Sequence, residues 1–311
     1  MSDRKGGRSV RSLMRGIRWK LAPVSPDIER LQLAVGHLES RIVRSGRFDR
    51  LSDAEFRVHS QFGEDGIIQY LISRVAIENE VFVEFGVADY RESNTRFLLS
   101  NDNWRGLILD GGTAHIDFVR SNALGWRHTV DARSVFVTRE NINETIAEAG
   151  ISGDIGLLSI DIDGNDYWVL DAINAVKPRI LIIEYNSTFG PDAAVSVPYH
   201  PTFDRTKAHH SNLYWGASLA AMCLAADRKG MAFVGSNSAG NNAFFVRRDV
   251  LGDLPTLTPQ EGWVDARFRD SRDAEGNLTY IGGRAGRIAA ISDQPLVEVS
   301  TGATALVRDC V

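Results

Sequence analysis

Each of five predicted strands in the middle of this chain ends in residues whose types suit ligand binding. They are Glu84 with Gly86, Asp110, Asp131, Asp161 with Asp163, and Glu184 with Asn186. The carboxyl ends of parallel strands converge on one crevice, so these residues are expected to be spatial neighbours. A crevice this acidic does not suit a pyrophosphate. A ligand with positive charge and ribose hydroxyls fits it better, because Asp110 follows Gly86 at about the spacing of a ribose-binding carboxylate.

The stretch VFVEFGVADYRESNT, residues 81 to 95, is predicted to be the first strand and its ligand-binding turn. A dinucleotide site would show G-x-G-x-x-G here, and this turn has Gly86 alone. Strand and helix then alternate, which predicts an α/β domain with helices on both faces of a parallel sheet. The later strands are predicted in GLILDGG, WRHTVDA, IGLLSIDID, RILIIEYN and the hairpin MAFVGSN and NAFFVRRDV. Pro178 is expected to end the helix before the fifth strand.

Three stretches, VEFGVADYRESNT, GLILDGG and LLSIDIDGND, resemble class I S-adenosylmethionine-dependent methyltransferases of the FkbM type. The resemblance spans about residues 60 to 250. It implies a Rossmann-like seven-stranded methyltransferase sheet, mostly parallel, with an antiparallel terminal hairpin. It further implies S-adenosylmethionine as cofactor and O-methylation of a sugar or similar polar metabolite, in a cell-surface polysaccharide or a natural-product glycan.

The same resemblance implies roles for individual residues. Glu84 and Gly86 would lie beside the methionine part of the cofactor, Asp110 on the ribose and Asp131 near the adenine. The methionine carboxylate would be held by Asn94 and Thr95 at a helix start, and Asp161 would contact the cofactor as well.

Asp161, Asp163 and Asp166 repel one another unless a cation, a proton or helix N–H groups compensate them. One interpretation is a divalent cation such as Mg²⁺, held by Asp161, Asp163, Glu184 and Asn186. It would bind the acceptor hydroxyl and lower its pKa. The other interpretation is that Asp163 and Asp166 cap the next helix while Asp161 touches the cofactor's amine.

A hydroxyl acceptor needs a base to remove its proton during methyl transfer. His209 and His210 lie in a long irregular segment that begins at Ser187, and segments of this kind are often active-site loops. They are predicted to be catalytic together with Asp161.

The chain has 311 residues and a net charge of -5, and residues 1 to 26 carry seven basic residues against one acid, Asp3. This balance disfavours nucleic acid as a partner. The basic stretch is either a solvated tail or an amphipathic helix that touches an anionic membrane surface. Two cysteines without metal or disulfide spacing favour the cytoplasm, with or without peripheral attachment to its membrane.

Residues 27 to 58 are predicted to be a helical segment ahead of a methyltransferase domain at 59 to 250, and residues 251 to 311 an extension without an assigned role. The helix carries apolar residues at the alternating spacing of three and four that is typical of coiled coils: Ile28, Leu31, Val35, Leu38 and Ile42. Residues 27 to 45 would therefore mediate either self-association or docking on the main domain.

Two rival functions remain from the sequence. Asp-Ile-Asp at 161 to 163 imitates the Asp-x-Asp motif of metal-dependent glycosyltransferases. Two features argue against a glycosyltransferase: Asp110, the candidate ribose ligand, ends the second strand, and a hairpin closes the sheet. The other rival is a non-catalytic scaffold that retains a methyltransferase-like domain.

Overall fold

The computed structural model describes residues 26–122 and 124–311, and a mixed seven-stranded sheet forms its centre. Its strands are β1 (Val81–Phe85), β2 (Arg105–Asp110), β3 (Val130–Ser134), β4 (Gly153–Ile160), β5 (Val176–Glu184), β7 (Met231–Ser236) and β8 (Asn242–Arg247). They are arranged in the order β3-β2-β1-β4-β5-β8-β7. The first five are parallel to one another, and β8 runs antiparallel to both β5 and β7. The predicted seven-stranded sheet, mostly parallel with an antiparallel terminal hairpin, is confirmed.

Helices cover both faces of this sheet, because β1, β4 and β5 are apolar runs buried on both sides. In chain order the helices are α1 (Pro26–Ser45), α2 (Glu64–Arg74), α3 (Arg96–Asn101), α4 (Thr113–Ser121), α5 (Leu124–Arg127), α6 (Ile142–Glu148), α7 (Asp166–Ala172), α8 (Arg205–Ala208), α9 (Leu219–Arg228), α10 (Pro259–Gly262), α11 (Arg284–Ala290) and α12 (Val307–Cys310). The face of α2, α3 and α4 and the face of α6, α7 and α9 each have their own apolar core. None of the helices in the described part of the chain has both the length and the apolar content needed to cross a bilayer.

Two predicted boundaries are wrong. The third strand begins at Val130 and continues to Ser134, so it lies further along the chain than WRHTVDA. Pro178 does not end a helix: α7 stops at Ala172, and the proline lies inside β5 opposite Ile155 of β4. Pairing of β5 with β8 begins only at Ile180, so Pro178 has no ladder partner on that side and its missing N–H is tolerated.

The predicted helix in residues 27 to 58 exists as α1, and it packs on α2 through polar contacts. Gln69 Oε1 accepts hydrogen bonds from Ser40 Oγ at 2.6 Å and from Arg44 Nε at 2.9 Å, and Val43 is buried beside them. This docking uses the face opposite the apolar heptad residues. The basic stretch predicted as a tail or a membrane-surface helix lies outside the described residues, apart from Pro26.

The C-terminal segment forms a second, three-stranded sheet with the long irregular segment. Its strands are β6 (Val195–Ser196), β9 (Pro295–Glu298) and β10 (Thr304–Leu306), in the order β10-β9-β6. A third apolar cluster, which includes Phe189, Leu213 and Leu296, lies between them. The residues after 250 therefore hold the irregular segment against the main domain.

Candidate functional site

A cavity of about 410 Å³ opens at the carboxyl ends of β1, β2, β4 and β5. Its walls combine backbone at Gly86 and Gly111 with the carboxyl groups of Asp110, Asp161 and Glu184. Residues from the irregular segment close its far side. The convergence expected from the sequence therefore holds for most of the acids that end these strands.

Asp110 is fixed at the cavity wall by the two turns that flank it. Its Oδ2 accepts a hydrogen bond from Ala88 N at 2.8 Å, and its Oδ1 accepts one from Gly112 N at 2.7 Å. His115 Nδ1 lies 3.1 Å from the same Oδ1. A carboxylate oxygen has two lone pairs, so Oδ2 retains acceptor capacity toward the cavity.

Gly86 lies in the cavity wall at a point where two strand ends almost touch. Its φ is +76°, and a Cβ placed on it would be 1.5 Å from the carbonyl oxygen of Asp161. The same turn holds Ala88 at φ +45° and Tyr90 at φ +59°, which are left-handed conformations that residues other than glycine seldom adopt. Strain of this kind is concentrated at functional sites.

Glu84, Asn94 and Thr95, which were predicted to lie at the methionine part, do not line the cavity and bond to one another. Glu84 accepts hydrogen bonds from Asn94 N at 2.8 Å, from Thr95 N at 3.1 Å and from the Thr95 hydroxyl. The backbone donors that were expected to hold a carboxylate of the ligand are thus already used by a carboxyl group of the protein. Burial raises the pKa of Glu84 to about 7.

Asp131 is also misplaced in the sequence prediction. Because β3 starts at Val130, Asp131 lies near its beginning, exposed and paired with Arg133 at 2.8 Å, away from the cavity. The cavity is instead lined by Val135, Phe136 and Val137, which directly follow the end of β3. This apolar run can be seen in the sequence. A prediction that continued the third strand up to it would have placed these residues at the cavity.

Asp161 and Glu184 form a carboxyl pair at the floor of the cavity. One oxygen of each, and one of Asp166, lie within 4.8 Å of one another. Burial raises the pKa of both Asp161 and Glu184 well above the usual range, and the neighbouring carboxyls Asp163 and Asp166 raise it further. Glu184 is 6% exposed, and its Oε2 has no hydrogen-bond partner among the described residues.

The predicted metal ligands Asp163 and Asn186 are engaged elsewhere. Asp163 Oδ1 accepts a hydrogen bond from Arg205 Nη1 at 2.8 Å in an ion pair. Asn186 Oδ1 accepts from Thr188 N, and its Nδ2 donates to two carbonyl oxygens of the irregular segment at 3.0 Å each. Asp163 and Asn186 are thus held by other groups of the protein, and the acids whose oxygens converge are Asp161, Asp166 and Glu184.

The capping interpretation expected Asp166 to cap α7, but it does not, because α7 has no side-chain cap among the described residues and Asp166 bonds amides of the turn before it. Its Oδ1 accepts a hydrogen bond from Ile162 N at 2.8 Å and its Oδ2 one from Gly164 N at 2.9 Å, just where α7 begins. Burial nevertheless raises its pKa to about 6. Asp166 therefore shapes the turn after β4, and of these three clustered carboxyls Asp161 and Glu184 line the cavity.

His209 and His210, the predicted bases, do not line the cavity. His209 Nδ1 lies 2.8 Å from Ser211 Oγ in a local turn, and the two imidazole rings are 4.2 Å apart. Burial, and then the neighbouring His210, lower the pKa of His209. The same segment instead contributes Phe203 and Arg205 to the cavity, which the sequence analysis missed. Arg205 lies over the ring of Trp215 at 4.9 Å.

No protein-family model and no curated protein matches this chain. Solved structures do match. The N-terminal domain of EvdMO1 with S-adenosylhomocysteine bound is 10% identical, over 68% of this chain and 93% of its own, with a TM-score of 0.39. A Klebsiella pneumoniae protein provisionally classed as an O-methyltransferase is 13% identical, over 82% and 97%, with a TM-score of 0.38.

A third match is the Bacillus cereus O-methyltransferase in complex with S-adenosylhomocysteine. It is 13% identical, over 76% of this chain and 87% of its own, with a TM-score of 0.32. At such low identities and TM-scores, the chemistry of this chain has to be argued from its own residues.

Proposed function

We propose that this chain is an S-adenosylmethionine-dependent O-methyltransferase of the FkbM type that methylates a hydroxyl of a sugar or similar polar metabolite. The observation that carries the proposal is Asp110, held by two backbone amides at the end of β2 and facing a cavity whose neighbouring wall is apolar. A carboxylate in this place suits ribose hydroxyls. The apolar wall of Val135, Phe136 and Val137 suits a planar base.

The residues present also fit the rest of the cofactor. The close approach of Gly86 to Asp161 O leaves a bare backbone surface on one side of the cavity. The carboxyl groups on the other side suit a cation, and S-adenosylmethionine carries an ammonium and a sulfonium. When bound, it supplies an electrophilic methyl group.

The carboxyl pair at the cavity floor supplies the base. Asp161 and Glu184 have oxygens within 4.8 Å of each other, and burial raises the pKa of both, so the pair holds a proton more readily than ordinary carboxyls do. The Glu184 carboxyl lines the cavity and would accept the proton of the acceptor hydroxyl during methyl transfer. Arg205 lies near enough to favour the ionised form of Glu184.

The acceptor side of the cavity supports a polar, ring-shaped substrate. Asp163, Asn165 and Gln61 offer hydrogen-bonding groups, and Phe203 adds an aromatic ring. A sugar has hydroxyls at its edges and an apolar face on its ring. A site that combines hydrogen-bonding groups with an aromatic ring therefore matches it. The free thiols Cys223 and Cys310 support a reducing compartment such as the cytoplasm.

Asp110→Ala is expected to abolish the rise in melting temperature that S-adenosylhomocysteine gives the wild-type protein through binding linkage. Asp131→Ala is the matched control, since it removes an acid from the adjacent strand that does not reach the cavity. It should retain the full shift. If the wild-type protein shows no binding of S-adenosylmethionine or S-adenosylhomocysteine by calorimetry, the proposal fails. Binding of a UDP-sugar instead would favour the glycosyltransferase, although Asp163 of its Asp-x-Asp motif is tied to Arg205.

Methyl transfer is expected to proceed undiminished after dialysis against EDTA, because a shared proton already offsets the repulsion between Asp161 and Glu184. The measurement is the initial rate with and without chelator, followed by addition of Mg²⁺. The alternative is that a divalent cation, in place of a proton, neutralises the carboxyl oxygens of Asp161 and Glu184. Loss of activity in EDTA that Mg²⁺ restores would assign the cluster to a metal.

A further inference from the structure

The apolar heptad residues of α1 form an exposed stripe, here called the α1 stripe: Ile28, Leu31, Val35, Leu38 and Ile42. Their side chains are between 49% and 66% exposed, although the helix around them is firmly docked on α2. Five large apolar side chains in one row are more than the scattered single hydrophobics that a protein surface normally carries. None of the described residues covers this row.

The spacing of the stripe indicates what kind of partner covers it. Steps of three, four, three and four residues place every member on the a/d seam of a coiled coil, and this seam accepts the knobs of a second helix with the same repeat. A groove of about 460 Å³ lies between this stripe and the side chains of Phe56 and Arg57, so the surface is concave along one edge.

The residues that flank the stripe select a second copy of this chain in antiparallel orientation. With Ile28 as an a position, Asp27, Ala34 and Arg41 all occupy g positions on one side. In an antiparallel pair, g positions meet g positions. Asp27 of each copy then lies beside Arg41 of the other, and the small Ala34 faces itself at the two-fold axis. In a parallel pair Asp27 and Arg41 do not meet.

We propose that two copies of this chain associate through the α1 stripe as an antiparallel helix pair. Ile28 packs against Leu38 of the other copy, and Leu31 against its Val35. The arrangement is isologous, so the same patch is buried on both copies and the association closes at two. It leaves the cavity at the strand ends uninvolved, and it does not depend on the proposed function.

The test is the mass of the full-length chain by sedimentation velocity at micromolar concentration. The wild-type protein is expected to be a dimer, and Leu31→Glu with Val35→Glu a monomer that retains the wild-type circular dichroism spectrum. Leu224→Glu, at an exposed leucine of α9, is the matched control and should remain dimeric. A monomeric wild-type protein would overturn the proposal. A chain that dimerises only after residues 1 to 25 are removed would overturn it too, because that segment would then be the occupant of the stripe.

Orientation is tested separately by charge exchange and cross-linking. Asp27→Arg and Arg41→Asp should each weaken the dimer, and the double variant should restore it. Ala34→Cys should form a covalent dimer under mild oxidation, whereas the wild-type protein with Cys223 and Cys310 should not. A dimer that is insensitive to both charge changes and does not cross-link at residue 34 would contradict the antiparallel pair.

Discussion

Glu184→Gln is expected to lower kcat by about 100-fold or more while changing KM little, because a well-placed general base contributes roughly 10²–10⁴-fold to a rate. The substitution keeps the size of the side chain and removes the carboxyl that receives the proton. Its effect should therefore fall on the chemical step and not on binding. Initial rates over a range of acceptor concentrations separate the two parameters.

The pH profile gives the same substitution a second signature. In the wild-type protein, burial raises the pKa of both Asp161 and Glu184, so the rate should rise with pH through a midpoint well above that of an ordinary carboxyl. In Glu184→Gln the group that receives the proton is gone, so the residual rate should no longer follow that midpoint.

His209→Asn is the control for the base, since His209 bonds to Ser211 outside the cavity. It should retain the wild-type kcat and the wild-type pH profile. If His209→Asn loses activity while Glu184→Gln keeps it, the assignment of the base to the carboxyl pair is refuted and the histidine returns as the candidate.

Gly86→Ala is expected to destabilise the protein by about 3 kcal/mol, at the upper end of what overpacking a core costs, and to abolish binding of S-adenosylhomocysteine. The added Cβ would lie 1.5 Å from Asp161 O, and a backbone carbonyl cannot swing aside as a flexible side chain does. Chemical denaturation measures the free energy of unfolding, and calorimetry measures the binding.

Gly150→Ala provides the matched control for that variant. Gly150 has φ +70°, close to the +76° of Gly86, but no heavy atom lies within 4 Å of the position where its Cβ would be. The free energy of unfolding of Gly150→Ala should fall only by the cost of a left-handed conformation for alanine, about 1–2 kcal/mol. If both variants lose the same free energy of unfolding, the steric contact with Asp161 O does not contribute to the destabilisation of Gly86→Ala.

The sequence predicted the sheet well because its signals are local. Runs such as LLSIDI and RILIIE are long enough to be recognised as buried strands, and regular alternation with helices leaves few topologies. Asp110 and Gly86 were placed correctly for the same reason: each follows the end of a strong strand directly. The short β3, with its mixture of exposed and buried residues, gave no comparable signal, and Asp131 was misplaced with it.

Other errors came from competition that only tertiary structure reveals. Asn94 and Thr95 lie at a helix start, where backbone amides have no partner within the helix. In the folded chain these two amides donate to the Glu84 carboxyl at the end of β1. Asn186 likewise donates its side-chain amide hydrogens to the carbonyl oxygens of Leu213 and Trp215, which lie further along the chain. In the irregular segment, Arg205 rather than His209 faces the cavity because contacts with the C-terminal segment fix its path, and no periodicity records these contacts.

The three-stranded sheet also implies an order of assembly. Val195 pairs with Glu298, which follows it by about a hundred residues, whereas β1, β2 and β3 pair with strands that are near in sequence. Contacts between distant residues form late, because closing a long loop costs entropy before any contact repays it. During synthesis β1, β2 and β3 can pair as soon as they emerge. The irregular segment has to wait for residues 295–298, so the wall that Phe203 and Arg205 give the cavity is positioned last.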